Sequence, residues 1–266
     1  MQEKFLTRFG IKKAKKVDFL TVFIYNLSSK NCTEKGYTMG KFELHVHTAE
    51  CDKAAIEKAA DIVRLYHAAG YDGMVVTDHY FSVFYDWFED ELAGLSEREV
   101  AKRRLLGYYE AKKEGDKLGF TVLPGAEVRF DGTINDYLVF GLDEEFFLSC
   151  PVLNRLKNLD ELIKVLPEGA VIVGAHPFRN KMTVYDPTPI FGIEVYNGGT
   201  ESFRNELAEL YADHYGKVKT SGSDFHSSHA LGRGGIYTEQ KIATPKELVQ
   251  VLAGGNYRLI KGGEIV

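Results

Sequence analysis

Three cysteines in 266 residues, Cys32, Cys51 and Cys150, are too few and too scattered for a disulfide framework. A reducing, cytoplasmic setting suits them. No apolar run approaches the roughly 18 residues of a membrane helix, so no membrane span is expected. A short apolar stretch, 19–25, follows a basic segment but has no small-residue cleavage site after it, which argues against a signal peptide. There is no overall basic footprint for nucleic acid either: the formal net charge is −5. Low-complexity linkers and internal repeats are also missing, and one domain is the simpler reading.

The charge is unevenly spread. Residues 1–38 carry eight basic side chains against three acidic ones, leaving 25 against 35 in residues 39–266. The body is acidic, as metal-binding carboxylates would tend to make it. The first 38 residues also stand outside the pattern that follows. They fit an added hairpin, a partner-binding arm or an upstream extension of a start at Met39.

From residue 42 onward short apolar runs alternate with helical patterns, the form of repeated β/α units. The expected strands are 42–46, 73–77, 121–128, 137–141, 170–175, 191–196, 217–221 and 234–238. The helix after the first run places Ile56, Ala59, Ala60, Val63, Tyr66 and His67 on one face. A charged helical stretch near 96–118 is expected to face solvent. Residues 202–215 place Phe203, Leu207, Leu210, Tyr211 and His214 on one stripe. Thr244-Pro245 has the N-cap and first-turn residues of a further helix.

Five of the eight histidines end four separate apolar runs, most of them beside carboxylates. They are His45 and His47 in Phe-Glu-Leu-His-Val-His, His79 in Thr-Asp-His, His176 in Ala-His-Pro, and His226 in Ser-Asp-Phe-His. Glu127 ends another run, in Pro-Gly-Ala-Glu-Val. Buried polar groups need partners. Imidazole binds zinc, iron and manganese well, and carboxylates bridge pairs of metals. His45 and His47 alternate on a strand and so point to one face. The set therefore reads as a metal cluster, whereas packing roles would explain one or two of its members.

These motifs, in this order, resemble the PHP family, named for polymerase and histidinol phosphatase domains. The resemblance runs from about Met39 through Asp224-Phe225-His226 and weakens beyond. It implies an α/β fold, a distorted (β/α)₇ barrel with residues 1–38 as a short N-terminal extension, and two or three divalent metals such as Zn, Mn or Fe. The metal ligands it implies are His45, His47, Asp52, His79, Glu127, His176, Asp224 and His226, with Asp78 orienting a ligand. The usual Ser-Asp-Gly around Asp52 reads Cys51-Asp52-Lys53 here. Asp136 stands where the family usually has histidine, so a third metal depends on that residue.

The resemblance implies a metal-dependent phosphoesterase. Two metals would share and activate a water that attacks phosphorus. Arg179 and Arg233 suit a phosphate clamp, and His229 lies close enough in sequence to meet substrate. Glu194 and Asn197 suit supporting positions behind the ligands. His67 and His214 fit packing or surface roles, and Cys51 has no paired base that would make it a nucleophile. The expected substrate is a small phosphomonoester or the end of a nucleotide or oligonucleotide, with no membrane and no obligate protein partner. Two alternatives are an amidohydrolase-like metallohydrolase, which often bridges its metals with a modified lysine, and a non-catalytic, metal-stabilised binding module.

Overall fold

The structure is a computed structural model that describes residues 40–150 and 152–266, all within the unit Tyr37–Val266. The N-terminal extension expected over residues 1–38, with Cys32, lies outside the described residues. The chain opens on β1 (Gly40–Val46), then α1 (Ala59–Ala68), β2 (Gly73–Val76) and β3 (His79–Tyr80). Four helices follow: α2 (Val83–Trp87), α3 (Glu89–Leu92), α4 (Glu97–Arg104) and α5 (Leu106–Leu118). Next come β4 (Thr121–Pro124), β5 (Ala126–Val128), β6 (Tyr137–Phe140), α6 (Glu144–Ser149), α7 (Leu159–Val165) and β7 (Val171–Gly174). The chain closes with β8 (Gly192–Asn197), α8 (Ser202–His214), β9 (Val218–Gly222), β10 (Ile236–Thr238), α9 (Pro245–Gly254), β11 (Tyr257–Lys261) and β12 (Glu264–Ile265).

The expected runs become strands, the most apolar of them buried on both faces. β2 and β6 are buried at every position. The fold is mixed α/β, but the strand ladders do not form the barrel that the resemblance implied. They give two six-stranded sheets, in the orders β12-β11-β10-β1-β2-β4 and β3-β5-β6-β7-β8-β9. One reason is local. No helix separates β5 from β6, and β5, β6 and β7 pair antiparallel, interrupting the β/α repeat. The run 121–128 also breaks at Gly125, which divides β4 from β5 between the sheets. An isolated parallel bridge joins Val46 to Phe225, with His47 N donating to Phe225 O and Phe225 N to His45 O, both at 3.0 Å. The candidate ligands lie around this meeting line.

Helices reveal three further departures. In α1 the buried face is Ala59, Ile62, Val63 and Tyr66, while Ile56 and His67 are exposed. In α8 the buried residues are Asn205, Ala208 and Ala212, and Phe203, Leu207 and Leu210 remain exposed. Small side chains let α8 lie close on the sheet, and this outweighs burial of its larger apolar stripe. The charged stretch 96–118 also buries a face, through Arg104, Gly107, Tyr108, Ala111 and Gly115. Thr244 caps α9 by accepting from Glu247 N, with Pro245 at its first position, as the sequence indicates. No helix among the described residues is long and apolar enough to cross a membrane.

Candidate metal centre

Strand alternation places Glu43, His45 and His47 on one face of β1, all fully buried. His79 begins β3 and lies in register with Glu127 of β5. His176 follows β7, and Asp224 and His226 follow β9. Two of these residues have left-handed backbones, His176 with φ 28° and Asp224 with φ 52°. Such conformations cost about 1–3 kcal/mol for ordinary residues and persist where surrounding contacts hold them.

Ligand atoms gather into three groups able to hold a metal: His47, Asp52, His79 and His226; His45, His47 and Asp224; and His45, Glu127 and His176. Within each group the atoms lie within 4.8 Å of one another. Two carboxylates stand between groups. Glu127 Oε2 is 2.9 Å from His79 Nε2, 3.4 Å from His47 Nε2 and 3.5 Å from His45 Nε2. Asp224 Oδ1 is 3.3 Å from both His47 Nε2 and His226 Nδ1, and 3.5 Å from His45 Nε2.

The atoms point toward common centres more than toward one another. His45 Nε2, both His47 nitrogens, Asp52 Oδ2, His79 Nδ1, Glu127 Oε2, His176 Nδ1 and Asp224 Oδ1 are buried without an aligned hydrogen-bond partner. Even the 2.6 Å approach of His79 Nδ1 to Asp52 Oδ2 is misaligned for a hydrogen bond. One unsatisfied buried polar atom costs about 1–3 kcal/mol, so a cluster of them calls for a cation. The imidazole and carboxylate donor set fits a divalent transition metal.

Electrostatics agree with this reading. Burial pulls His45 downward, but Glu194, Asp224 and Glu127 outweigh it and hold the ring well above its ordinary pKa. Against the same burial, the close Asp52 and Glu127 carboxylates, 2.6 and 2.9 Å away, raise His79 to about 9. Asp224 and Asp52 raise His226 to about 10. His47 moves the other way, pushed well down by burial and by His79 and His226. Burial would raise Asp52, Glu127 and Asp224, yet the surrounding imidazoles hold all three low.

Asp136 is separate from all three groups. Its oxygens accept from Arg129 Nε at 2.6 Å and Arg129 Nη2 at 2.7 Å, and His176 Nε2 is 3.9 Å away. Asp78 touches no imidazole. It accepts from Thr48 N at 2.7 Å and Thr48 Oγ1 at 2.9 Å, fixing the turn that carries Asp52, and burial raises its pKa to about 7. Arg179 is at the rim, donating to Asp224 and lying 3.1 Å from His176 Nε2. His229 is exposed on a short 3₁₀ turn and belongs to no group. Arg233, His67 and His214 are exposed too. The buried Cys51 thiol donates to Arg104 O at 3.1 Å and burial pushes its pKa up, opposite to what a nucleophile needs.

Glu194 lies behind the ligands, as its strand-end place indicates. It pairs with His45 Nδ1 at 2.9 Å and accepts from His176 N at 3.0 Å and Asn197 Nδ2 at 2.9 Å. Two supporting residues escaped the sequence reading. Glu43 accepts from Leu44 N, His45 N, Ser223 N and the hydroxyls of Ser223 and Tyr66, tying β1 to the turn after β9. Its position two residues before His45 was the available signal. Arg129 is the other, two residues after Glu127 and paired with Asp136. Gly222 is required by close approach: a Cβ there would strike His45 Cβ and lie 2.6 Å from Glu194 Oε1.

Residues 203–257 match the PHP-associated family. No curated protein matches the chain. Among solved structures, the chain is similar to a two-domain protein from Bacteroides vulgatus containing a predicted PHP-like metal-dependent phosphoesterase. That match has 17% identity and a TM-score of 0.61, covering 87% of this chain and 67% of the other. It is also similar to PsfC from Pseudomonas syringae, at 19% identity and TM-score 0.54, covering 78% of this chain and 84% of that one. An amidohydrolase from Chromobacterium violaceum, with bound sulfate and no metal, matches at 15% identity and TM-score 0.51, covering 79% and 96%. At these identities the structural likeness speaks for the fold. The family-level likeness itself is carried by residues 203–257, the stretch that matches the PHP-associated model.

Proposed function

We propose that the chain is a metal-dependent phosphoesterase acting on a small phosphomonoester or on the end of a nucleotide or oligonucleotide. The observation that carries this reading is the set of unpaired, buried ligand atoms converging beneath a partly exposed arginine. His47, Asp52, His79 and His226 would hold one divalent ion, and His45, Glu127, His176 and Asp224 a second. Zinc, manganese and iron all suit this donor set. Metals held there would supply a water of lowered pKa and positive charge for phosphoryl oxygens.

The chain's own groups do the rest. Glu194 fixes the His45 ring and the His176 backbone, and Asp78 fixes the Asp52 turn. Arg179 offers a guanidinium at the rim for a phosphate oxygen. Asp136, already paired with Arg129, is not assigned to a metal, so the proposed site is dinuclear.

Two sequence-level alternatives lose support. The residue between ligand groups is Glu127, and among the described residues no lysine takes the bridging position that an amidohydrolase-like centre would give one. A pure binding module gives no reason for the Arg179 guanidinium beside the cluster. The test is hydrolysis of an aryl phosphate by metal-loaded protein, before and after chelation, alongside histidinol phosphate, a nucleoside monophosphate and a short single-stranded oligonucleotide. Activity that survives both chelation and His176→Ala would sink the reading, as would tight metal binding without turnover of any phosphoester.

A further inference from the structure

A cavity of about 480 Å³ lies on the other side of β3 from the metal ligands, lined among others by Tyr80, Tyr85, Arg98, Arg104, Phe147 and Arg155. Three arginines in one cavity are unusual in a body where acidic side chains outnumber basic ones 35 to 25. Glu97 is the one carboxylate in the lining, and Arg98 is already engaged by Glu145 outside it.

Arg104 is the informative residue. It is 5% exposed and has no carboxylate within ion-pair distance among the described residues. One terminal nitrogen donates to His79 O at 3.2 Å and the other to Asn154 Oδ1 at 3.4 Å. Nε has no acceptor. The guanidinium is walled by rings, its carbon 4.1 Å from the Phe84 centroid, 4.7 Å from Tyr80 and 4.9 Å from Tyr85. Tyr80, 4% exposed, also has a hydroxyl without a partner. Buried charges are normally paired. Here a buried cation with no carboxylate partner and one unpaired donor, and a buried hydroxyl with no partner, line the same cavity, and Arg155 lies over the Tyr85 ring 5.1 Å away at its exposed edge.

We infer that this cavity is a binding site, distinct from the metal centre, for a small planar organic anion: an aromatic ring bearing a phosphate or carboxylate. The anion would accept from Arg104 and Tyr80 and be attracted by Arg155, while the ring would stack on the aromatic wall of Tyr85 and Phe147. The site is connected to the centre through the chain. Tyr80 follows His79, Arg104 holds the His79 carbonyl, and the Cys51 thiol beside Asp52 donates to Arg104 O. An occupant would therefore bear on the strand that presents His79. This inference does not depend on the phosphoesterase reading.

The test is calorimetric titration of the full-length chain, as purified and after chelation, with phenylphosphonate, benzoate and inorganic phosphate. Phenylphosphonate has no ester bond to cleave, so turnover does not enter. The chelated protein is expected to bind one equivalent of an aryl anion saturably. Phenylphosphonate and benzoate separate the phosphate from the carboxylate class, and binding of either supports the site. Inorganic phosphate should bind about tenfold more weakly than the better aryl anion, because it leaves the aromatic wall unused. Arg104→Ala removes a buried side chain that holds the His79 carbonyl and so confounds folding with binding; Tyr80→Phe and Arg155→Glu are the diagnostic variants. Tyr80→Phe should weaken binding about threefold to tenfold, and Arg155→Glu about tenfold. Absence of saturable binding by either aryl anion at millimolar concentration overturns the inference. So does binding lost on chelation, binding unchanged in both variants, or phosphate binding as tightly as the aryl anions.

Discussion

Arg129 grips Asp136 through two parallel hydrogen bonds, Nε to Oδ1 at 2.6 Å and Nη2 to Oδ2 at 2.7 Å. The fork engages both carboxylate oxygens at the position on which a third metal depends. It also places a fixed positive charge beside the His176 ligand. The guanidinium keeps its charge at every accessible pH, so the pair is lost only where the Asp136 carboxyl, whose pKa burial raises, takes up a proton.

Metal content follows from that pair. The loaded wild-type chain is expected to hold two ions, one for each proposed ligand set. Arg129→Ala, at a side chain that is 36% exposed and so tolerant of truncation, should free Asp136 and raise the content toward three. Elemental analysis of both proteins, loaded identically, decides it. Three ions in the wild type, or no gain in the variant, would count against the two-ion assignment.

Glu194 should matter for affinity more than for folding. It pairs with the His45 ring nitrogen remote from the cluster and with the His176 backbone. Partners of this kind usually contribute about 10–100-fold in metal affinity. Glu194→Ala should lose metal to a chelator at correspondingly lower concentration, with Glu194→Gln intermediate because it keeps one acceptor oxygen. Equal chelator resistance in all three proteins would show that the ring is held by other contacts.

Much of this centre was legible because its ligands end apolar runs, where period-two alternation tells which side chains share a face. His45, His47, His79, Glu127, His176 and His226 were found that way, whereas Asp52 and Asp224 needed the family motifs. Arg129 was missed because a charged residue near a strand end reads as solvent-facing until its partner is known. The stripe of Phe203, Leu207 and Leu210 misled for a packing reason: α8 approaches the sheet through Ala208 and Ala212. Sheet closure was not legible at all, since β5 turns into antiparallel β6 without a helix to announce the change, and β6 pairs antiparallel with β7 even though helices separate them.

Arg179 should act on the phosphoester itself. It is 35% exposed at the rim and already donates to Asp224. A charge-assisted hydrogen bond is worth about 1.5–3 kcal/mol. Arg179→Ala is therefore expected to lower kcat/KM for an aryl phosphate about 10–100-fold while metal content stays unchanged. Arg179→Lys should recover only part, because an ammonium lacks the planar fork. A variant as active as wild type would remove Arg179 from substrate binding.

Protonation of the metal-free centre gives the last expectation. His79 and His226, raised to about 9 and about 10, are charged at neutral pH in the absence of metal and pair with Asp52, Glu127 and Asp224. Because their folded pKa values exceed the unfolded value near 6.5, these pairs stabilise the metal-free fold fully below about pH 6.5. That contribution declines as pH rises through about 9 to 10, when the rings lose their protons and the buried carboxylates lose their partners. Metal requires neutral rings, so it binds more tightly over the same interval and releases protons when it binds near neutrality. Melting temperature of chelated protein should accordingly fall between pH 7 and 10, while that of loaded protein holds or falls less. A parallel decline in the two forms would mean that the imidazoles are not the groups titrating.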